Sequence, residues 1–123
     1  MNYSELFEDF LYSQLNGNFN SAVVSQLTDS TYQAEIHYGD EEIENYLGRG
    51  FDLTLFINVI GVDEVDNSIG FTLSLVRFSA PDFSTTDAQG IYMKASLYQE
   101  VANAAYKCLN SIDFDNEYWV ALD

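Results

Sequence analysis

Two apolar segments, FDLTLFINVI at 51–60 and FTLSLVRF at 71–78, constrain this chain more than any other feature. Both are rich in Phe, Leu, Ile and Val, and both alternate with the period of two that marks a strand. In the first, Phe51, Leu53, Leu55, Ile57 and Val59 share one face. Phe56 and Ile60 make its other face partly apolar, so a central position in a sheet is expected. In the second, Phe71, Leu73 and Leu75 are expected to point inward. GVDEVDNSIG joins them, and its Asp66-Asn67-Ser68 is turn-forming. The pair predicts an antiparallel hairpin with long arms.

The rest of the chain supplies helices and further strands. Tyr32 to Tyr38 alternates cleanly: Tyr32, Ala34, Ile36 and Tyr38 face one way, Gln33, Glu35 and His37 the other. A short strand at Tyr118–Leu122 is expected to join this sheet. Asn2 to Leu15 carries the helical stripe Tyr3, Leu6, Phe7, Phe10, Leu11, Leu15. Asn2 with Glu5 resembles a capping box there. A short helix is expected at Ser21–Leu27, capped by Asn20 and stapled by Phe19 and Val24. Ala80–Gly90 reads as a loop around Pro81. The longest helix is expected at Ile91–Asn110, with the stripe Ile91, Ala95, Tyr98, Val101, Ala102, Ala105 and Leu109. The fold class expected is α+β. An antiparallel sheet of three to four strands is packed by an N-terminal and a long C-terminal helix, in one acidic domain spanning 1–123.

Charge sets the function classes. Twenty Asp and Glu face four Lys and Arg, a net charge of −16. Small soluble domains usually carry a magnitude of ~2–8. Such an excess repels itself, steers basic partners, and disfavours direct binding to nucleic acid or an anionic membrane. With 47% hydrophobic residues, nine Phe and nine Tyr, the chain is too apolar for a disordered acidic tail. Cys108 is the only cysteine, which fits a reducing, cytoplasmic setting and leaves no Cys-based metal cluster. The start MNYSELFEDF has no basic n-region of a signal peptide, and no apolar run approaches the ~18 residues a membrane span needs.

The densest acidic stretch is HYGDEEIENYLGRG at 37–50. Asp40 is placed to cap a short helix through Leu47, with Ile43, Tyr46 and Leu47 inward and Gly48 as its stop. Glu41, Glu42 and Glu44 then crowd the first turn, where the dipole tolerates them. Arg49 is the only cation beside them. Acids cluster again at Glu5/Glu8/Asp9, at Asp63/Glu64/Asp66 and at Asp113/Asp115/Glu117. Neither DFDNE nor GVDEVDNSIG fits a calcium loop: counting from Asp113, the required sixth-position glycine is Tyr118. His37 is the only histidine, so no histidine pair holds zinc, and it reads as a polar-face strand residue. Cys108, among Ala104, Ala105 and Leu109, reads as small core packing. Gly48-Arg49-Gly50 lacks the lysine and spacing of a P-loop. No catalytic residue, metal or cofactor is assigned. The candidate partner-binding residues are Asp40, Glu41, Glu42, Glu44 and Tyr46, then Asp63, Glu64 and Asp66. Tyr38, Tyr46, Phe114, Tyr118 and Trp119 are candidates to stack on a partner's arginine.

In size, charge and small α+β organisation the chain resembles phage-encoded anti-defence proteins, among them acidic anti-CRISPR proteins and DNA mimics. The resemblance implies a non-enzymatic inhibitor in the host bacterial cytoplasm. Its partner would be a basic nucleic-acid-binding protein, a CRISPR effector or other nuclease, blocked by phosphate mimicry. Immunity proteins of bacterial toxins are similar in size and charge. Type III secretion chaperones, which are acidic homodimers binding an extended effector segment, have a similar order of helix and strands.

Overall fold

The computed structural model describes residues 2–82 and 91–122. In chain order the elements are α1 (Ser4–Gln14), β1 (Ser21–Gln26), β2 (Thr31–Tyr38), α2 (Glu41–Leu47), β3 (Phe51–Asp63), β4 (Ser68–Ser79), α3 (Ile91–Asn110) and β5 (Tyr118–Ala121). The fold is α+β. One antiparallel sheet has the spatial order β1-β2-β3-β4-β5, the order of the chain itself. The expected hairpin is β3–β4, and β3 is the central strand. Most of the expected Ala80–Gly90 loop, residues 83–90, lies outside the described residues. Among the described residues no helix is long and apolar enough to cross a membrane.

Among the described residues the sheet has five strands rather than three to four, because Ser21–Gln26 is a strand and not the expected helix. Ala22 and Val24 are buried while Val23 is 57% exposed, a period of two. Asn20 does not cap a helix. Its Oδ1 accepts from the Gly39 N–H at 2.6 Å, and its own N–H donates to the His37 carbonyl at 2.8 Å. A helix this short forms few hydrogen bonds after a costly nucleus, whereas the β2 edge offers a full ladder. Ser21 to Gln26 pair there with His37 to Tyr32.

One face of the sheet builds the core. Tyr32, Ala34 and Ile36 of β2, Phe51, Leu53, Leu55 and Ile57 of β3, and Ile69, Phe71 and Leu73 of β4 are all buried. Leu75 was expected with them but is 51% exposed. A bulge explains it: Thr54 pairs with Arg77 and Leu55 with Leu75, leaving Val76 as an extra residue. An extra residue bends a strand and re-aims its side chains. The inward phase therefore passes from Phe71 and Leu73 to half-buried Phe78, which pairs with Leu53.

From α1, Phe7, Leu11 and Leu15 enter this core. The expected Asn2–Glu5 capping box does not form, because Asn2 lies one residue early. Tyr3 holds the N-cap position, and Asn2 Oδ1 accepts from the Ser4 N–H at 2.8 Å. On α3 the buried stripe is Leu97, Val101, Ala104, Ala105 and Cys108, whereas Ile91, Ala95 and Ala102 of the expected stripe are exposed. The face is set by neighbours that no periodicity reveals: α3 lies against α2, and the Tyr38 hydroxyl donates to Glu100 Oε1 at 3.0 Å. Burial, then the Glu100 carboxylate, push the Tyr38 pKa up to about 12. Cys108 is fully buried and burial pushes its thiol up to about 11, as suits a packing residue.

On the opposite face, Trp119 of β5 lies across Gly70 of β4, its cross-strand partner. A Cβ at Gly70 would stand 2.5 Å from the indole ring. Gly70→Ala is therefore expected to lift the indole and red-shift the emission of the only tryptophan. The ring is half exposed and has room to move, so the stability cost should be only about 1 kcal/mol. Unchanged emission in the folded variant would contradict this seat for the indole.

Candidate partner-binding surface

The acidic stretch forms the short capped helix expected of it. Asp40 is extended at the N-cap (φ −138°), and its Oδ1 accepts from the Ile43 N–H at 2.8 Å. Gly48 ends the helix in the left-handed region (φ +83°), where glycine carries no Cβ penalty, and its N–H donates to the Glu44 carbonyl at 2.9 Å. Ile43 is the buried anchor of α2. Tyr46, expected inward, is 43% exposed: seven residues present only one buried position, and Ile43 fills it. Glu41, Glu42 and Glu44 are exposed around the first turn.

The excursion carrying α2 leaves and re-enters the sheet through a narrow neck. Tyr38 pairs with Phe51, and the next residues out, Gly39 and Gly50, bring their backbones together. A side chain at Gly50 would run into the Tyr38 carbonyl. His37, read as an ordinary polar-face residue, fastens the base of this neck. It pairs across the ladder with Asp52. Its Nδ1 lies 2.7 Å from Asp52 Oδ1, and its Nε2 lies 3.8 Å from Glu44 Oε1. Both ring nitrogens thus face carboxylates, Asp52 within hydrogen-bond reach and Glu44 of α2 beyond it. The alternation of β2 placed His37 on this face. Only the register could have supplied Asp52.

The other candidate acids lie elsewhere. Asp63 ends β3, and Glu64 and Asp66 occupy the turn that follows. α2 and this turn flank opposite ends of β3, separated by roughly 40 Å of extended chain. The structure therefore does not join Asp40, Glu41, Glu42, Glu44 and Tyr46 with Asp63, Glu64 and Asp66 in one patch. Asp63 is also engaged locally: its Oδ1 accepts from the Val65 and Asp66 N–H groups at 2.9 and 3.2 Å. Asp113 works the same way, accepting from the Asp115 N–H at 3.0 Å and from Asn116. Glu64, Asp66, Asp115 and Glu117 remain exposed. Among the described residues no group of three or more His, Cys, Asp or Glu is arranged to hold a metal ion.

The expected aromatic partners divide in the same way. Tyr38 stacks on Phe51 at 5.5 Å and Tyr118 on Phe71 at 5.7 Å, both inside the protein's own packing. Phe114 is half-buried. Tyr46 and Trp119 are the ones left exposed.

The electrostatic character is one-sided. Every Asp and Glu among the described residues is exposed or half-buried. Among those residues no Lys or Arg lies within ion-pair distance of a carboxylate; the only side-chain base that close to one is the His37 ring, beside Asp52 and Glu44. Arg49, the cation nearest to α2 in sequence, turns away and donates to Ser79 Oγ at 2.5 Å. Arg77 stands exposed over a shallow depression of about 200 Å³ on the outer sheet face, beside Glu35, His37 and Asp52. Among the described residues the carboxylates of α2 thus meet solvent without a Lys or Arg beside them. No protein family, curated protein or solved structure matches the chain.

Proposed function

We propose that this protein is a non-enzymatic acidic inhibitor that binds a basic nucleic-acid-binding protein. The partner most consistent with the reading is a bacterial CRISPR effector, denied its DNA or RNA by phosphate mimicry. The observation that carries the proposal is the set Asp40, Glu41, Glu42 and Glu44 on a capped, anchored helix, with no Lys or Arg among the described residues within ion-pair distance of it. Positions three and four apart on a helix hold their Cβ atoms ~5–6 Å apart. A groove lined with Lys and Arg for a phosphate backbone accepts such a row of fixed anions. The excess charge speeds encounter, and exposed Tyr46 offers a face to an arginine.

Combined replacement of Glu41, Glu42 and Glu44 by Gln tests this. The helix keeps its Asp40 cap and buried Ile43, and Glu44 stands 3.8 Å from His37, beyond hydrogen-bond reach, so circular dichroism and unfolding should change little. Loss of three surface contacts at ~0.5–1 kcal/mol each should weaken binding about tenfold or more. The affinity of the variant should also fall less steeply with salt. The partner is found by capture from bacterial lysate and mass spectrometry, then assayed for nucleic-acid cleavage with each form. Equal inhibition by both forms would overturn the assignment of α2. Capture of a toxin nuclease that the protein silences would place it with immunity proteins instead.

A further inference from the structure

The two edges of the sheet are treated differently. β1 is partly covered: Glu8 of α1 reaches its middle, where Glu8 Oε1 accepts from the outward Val24 N–H at 3.0 Å. Among the described residues no side chain reaches over β5 in this way. The Leu122 N–H donates inward to the Asn67 carbonyl, and in an antiparallel ladder this direction alternates along the strand. Val120 and Tyr118 therefore also face β4, while Trp119 and Ala121 turn their N–H and C=O groups away from the sheet. Among the described residues neither of these outward pairs has a hydrogen-bond partner.

A groove of about 510 Å³ runs beside this edge, between β5 and α1. Leu6 and Phe10 of α1, with Val120 and Leu122, give it an apolar floor, and Glu5 and Asp9 stand at its rim. On the other face of β5, Glu117 lies next to Trp119, whose Nε1 donates to Glu117 Oε2 at 3.3 Å. An added strand would thus meet an apolar surface on one side and a carboxylate beside an indole on the other.

We infer that the β5 edge captures an extended segment of another protein whose residues alternate apolar and basic, adding it as a sixth strand. The backbone of the segment satisfies Trp119 and Ala121. Its apolar residues fill the groove over Leu6 and Phe10. Its Lys or Arg residues meet Glu117 and the Trp119 ring on the outer face, where a cation is favoured. A second copy of this chain is the wrong occupant, since it would bring another net charge of −16 against Glu5, Asp9 and Glu117. This surface is separate from α2 and does not depend on the reading of that helix.

The test uses the full chain and synthetic peptides. An alternating Lys–Val octapeptide is titrated in, with a peptide of the same composition in two blocks, KKKKVVVV, as the control for charge alone. Tryptophan emission reports binding, and amide exchange reports the edge. The alternating peptide should bind at least about tenfold more tightly and slow exchange at Trp119 and Ala121. Ala121→Pro removes an outward donor that the sheet does not use, and should abolish this preference. N-methylation of every second peptide residue tests the same hydrogen bonds without altering the protein, and should do likewise in the register that faces β5. Equal affinity for the two peptides, or unprotected Trp119 and Ala121 in the complex, would overturn the inference. So would a peptide-free dimer in sedimentation with both amides already protected.

Discussion

Gly50→Ala is expected to destabilise the protein by about 3 kcal/mol or more, at the upper end of what overpacking costs. The added methyl has nowhere to go. It would collide with the Tyr38 carbonyl oxygen and stand 2.7 Å from its carbon and 2.9 Å from the Gly39 Cα. All three are backbone atoms, so no rotamer change relieves the contact. Tyr38 and Phe51 are paired in the ladder, and moving either strand breaks hydrogen bonds at the β2–β3 junction. Native domains hold only ~5–15 kcal/mol in total, so this is a large fraction. For a chain of this size the loss corresponds to a fall in Tm of roughly 10 °C. Gly61→Ala is the matched control. A Cβ there meets nothing within 4 Å, so its effect should stay within about 0.5 kcal/mol. Denaturant unfolding of the two variants side by side decides the matter; equal midpoints would refute the close approach at the neck. The damage should also reach α2, because its carboxylates are presented from that neck.

This neck shows what the sequence could and could not reveal. Asp40, Ile43 and Gly48 carried the local signals of a short helix, and the helix formed around them. That Gly39 and Gly50 touch is a consequence of register: it requires that Tyr38 oppose Phe51, which no local pattern states. The same holds for His37. Its face was readable from alternation, and its partner Asp52 was not. Strands at 32–38, 51–60 and 71–78 were legible because their apolar positions alternate over many residues. Ser21–Gln26 was not, because a polar residue before a short apolar run also resembles a helix start. There the free edge of β2 settled the outcome against the local cap. Leu75 was misplaced for a different reason: a bulge shifts the phase in the middle of a strand that otherwise reads evenly.

The candidate surface was partly legible in the same sense. The acids and their lack of cations were plain from composition. Their arrangement was not, since two clusters close in sequence sit beyond opposite ends of β3. A strand of thirteen residues separates what it connects. The β5 edge carried no sequence signal, because an edge is defined by what fails to pair with it.

Phe7→Ala is the second large effect, expected to cost about 3–5 kcal/mol. Phe7 is fully buried, and its ring stands edge-on to Tyr32 at 4.9 Å and to Phe71 at 5.0 Å. Those two rings belong to β2 and β4, on either side of the central strand, so one side chain on α1 contacts both. Truncation leaves a cavity between rigid strands that have little freedom to close over it, which places the cost high in the range. Each lost aromatic pair adds to this at about 0.5–1.5 kcal/mol beyond burial. The consequences should extend along α1, since the same helix supplies Glu8 to the β1 edge and Leu6 and Phe10 to the groove beside β5. Hydrogen exchange at Val24 should therefore accelerate before global unfolding, and the alternating peptide should bind more weakly. Phe7→Leu keeps most of the volume and should cost less than half as much. If the alanine variant lost stability while Val24 stayed as protected as in the parent, α1 would be held on the β1 edge by contacts other than Phe7.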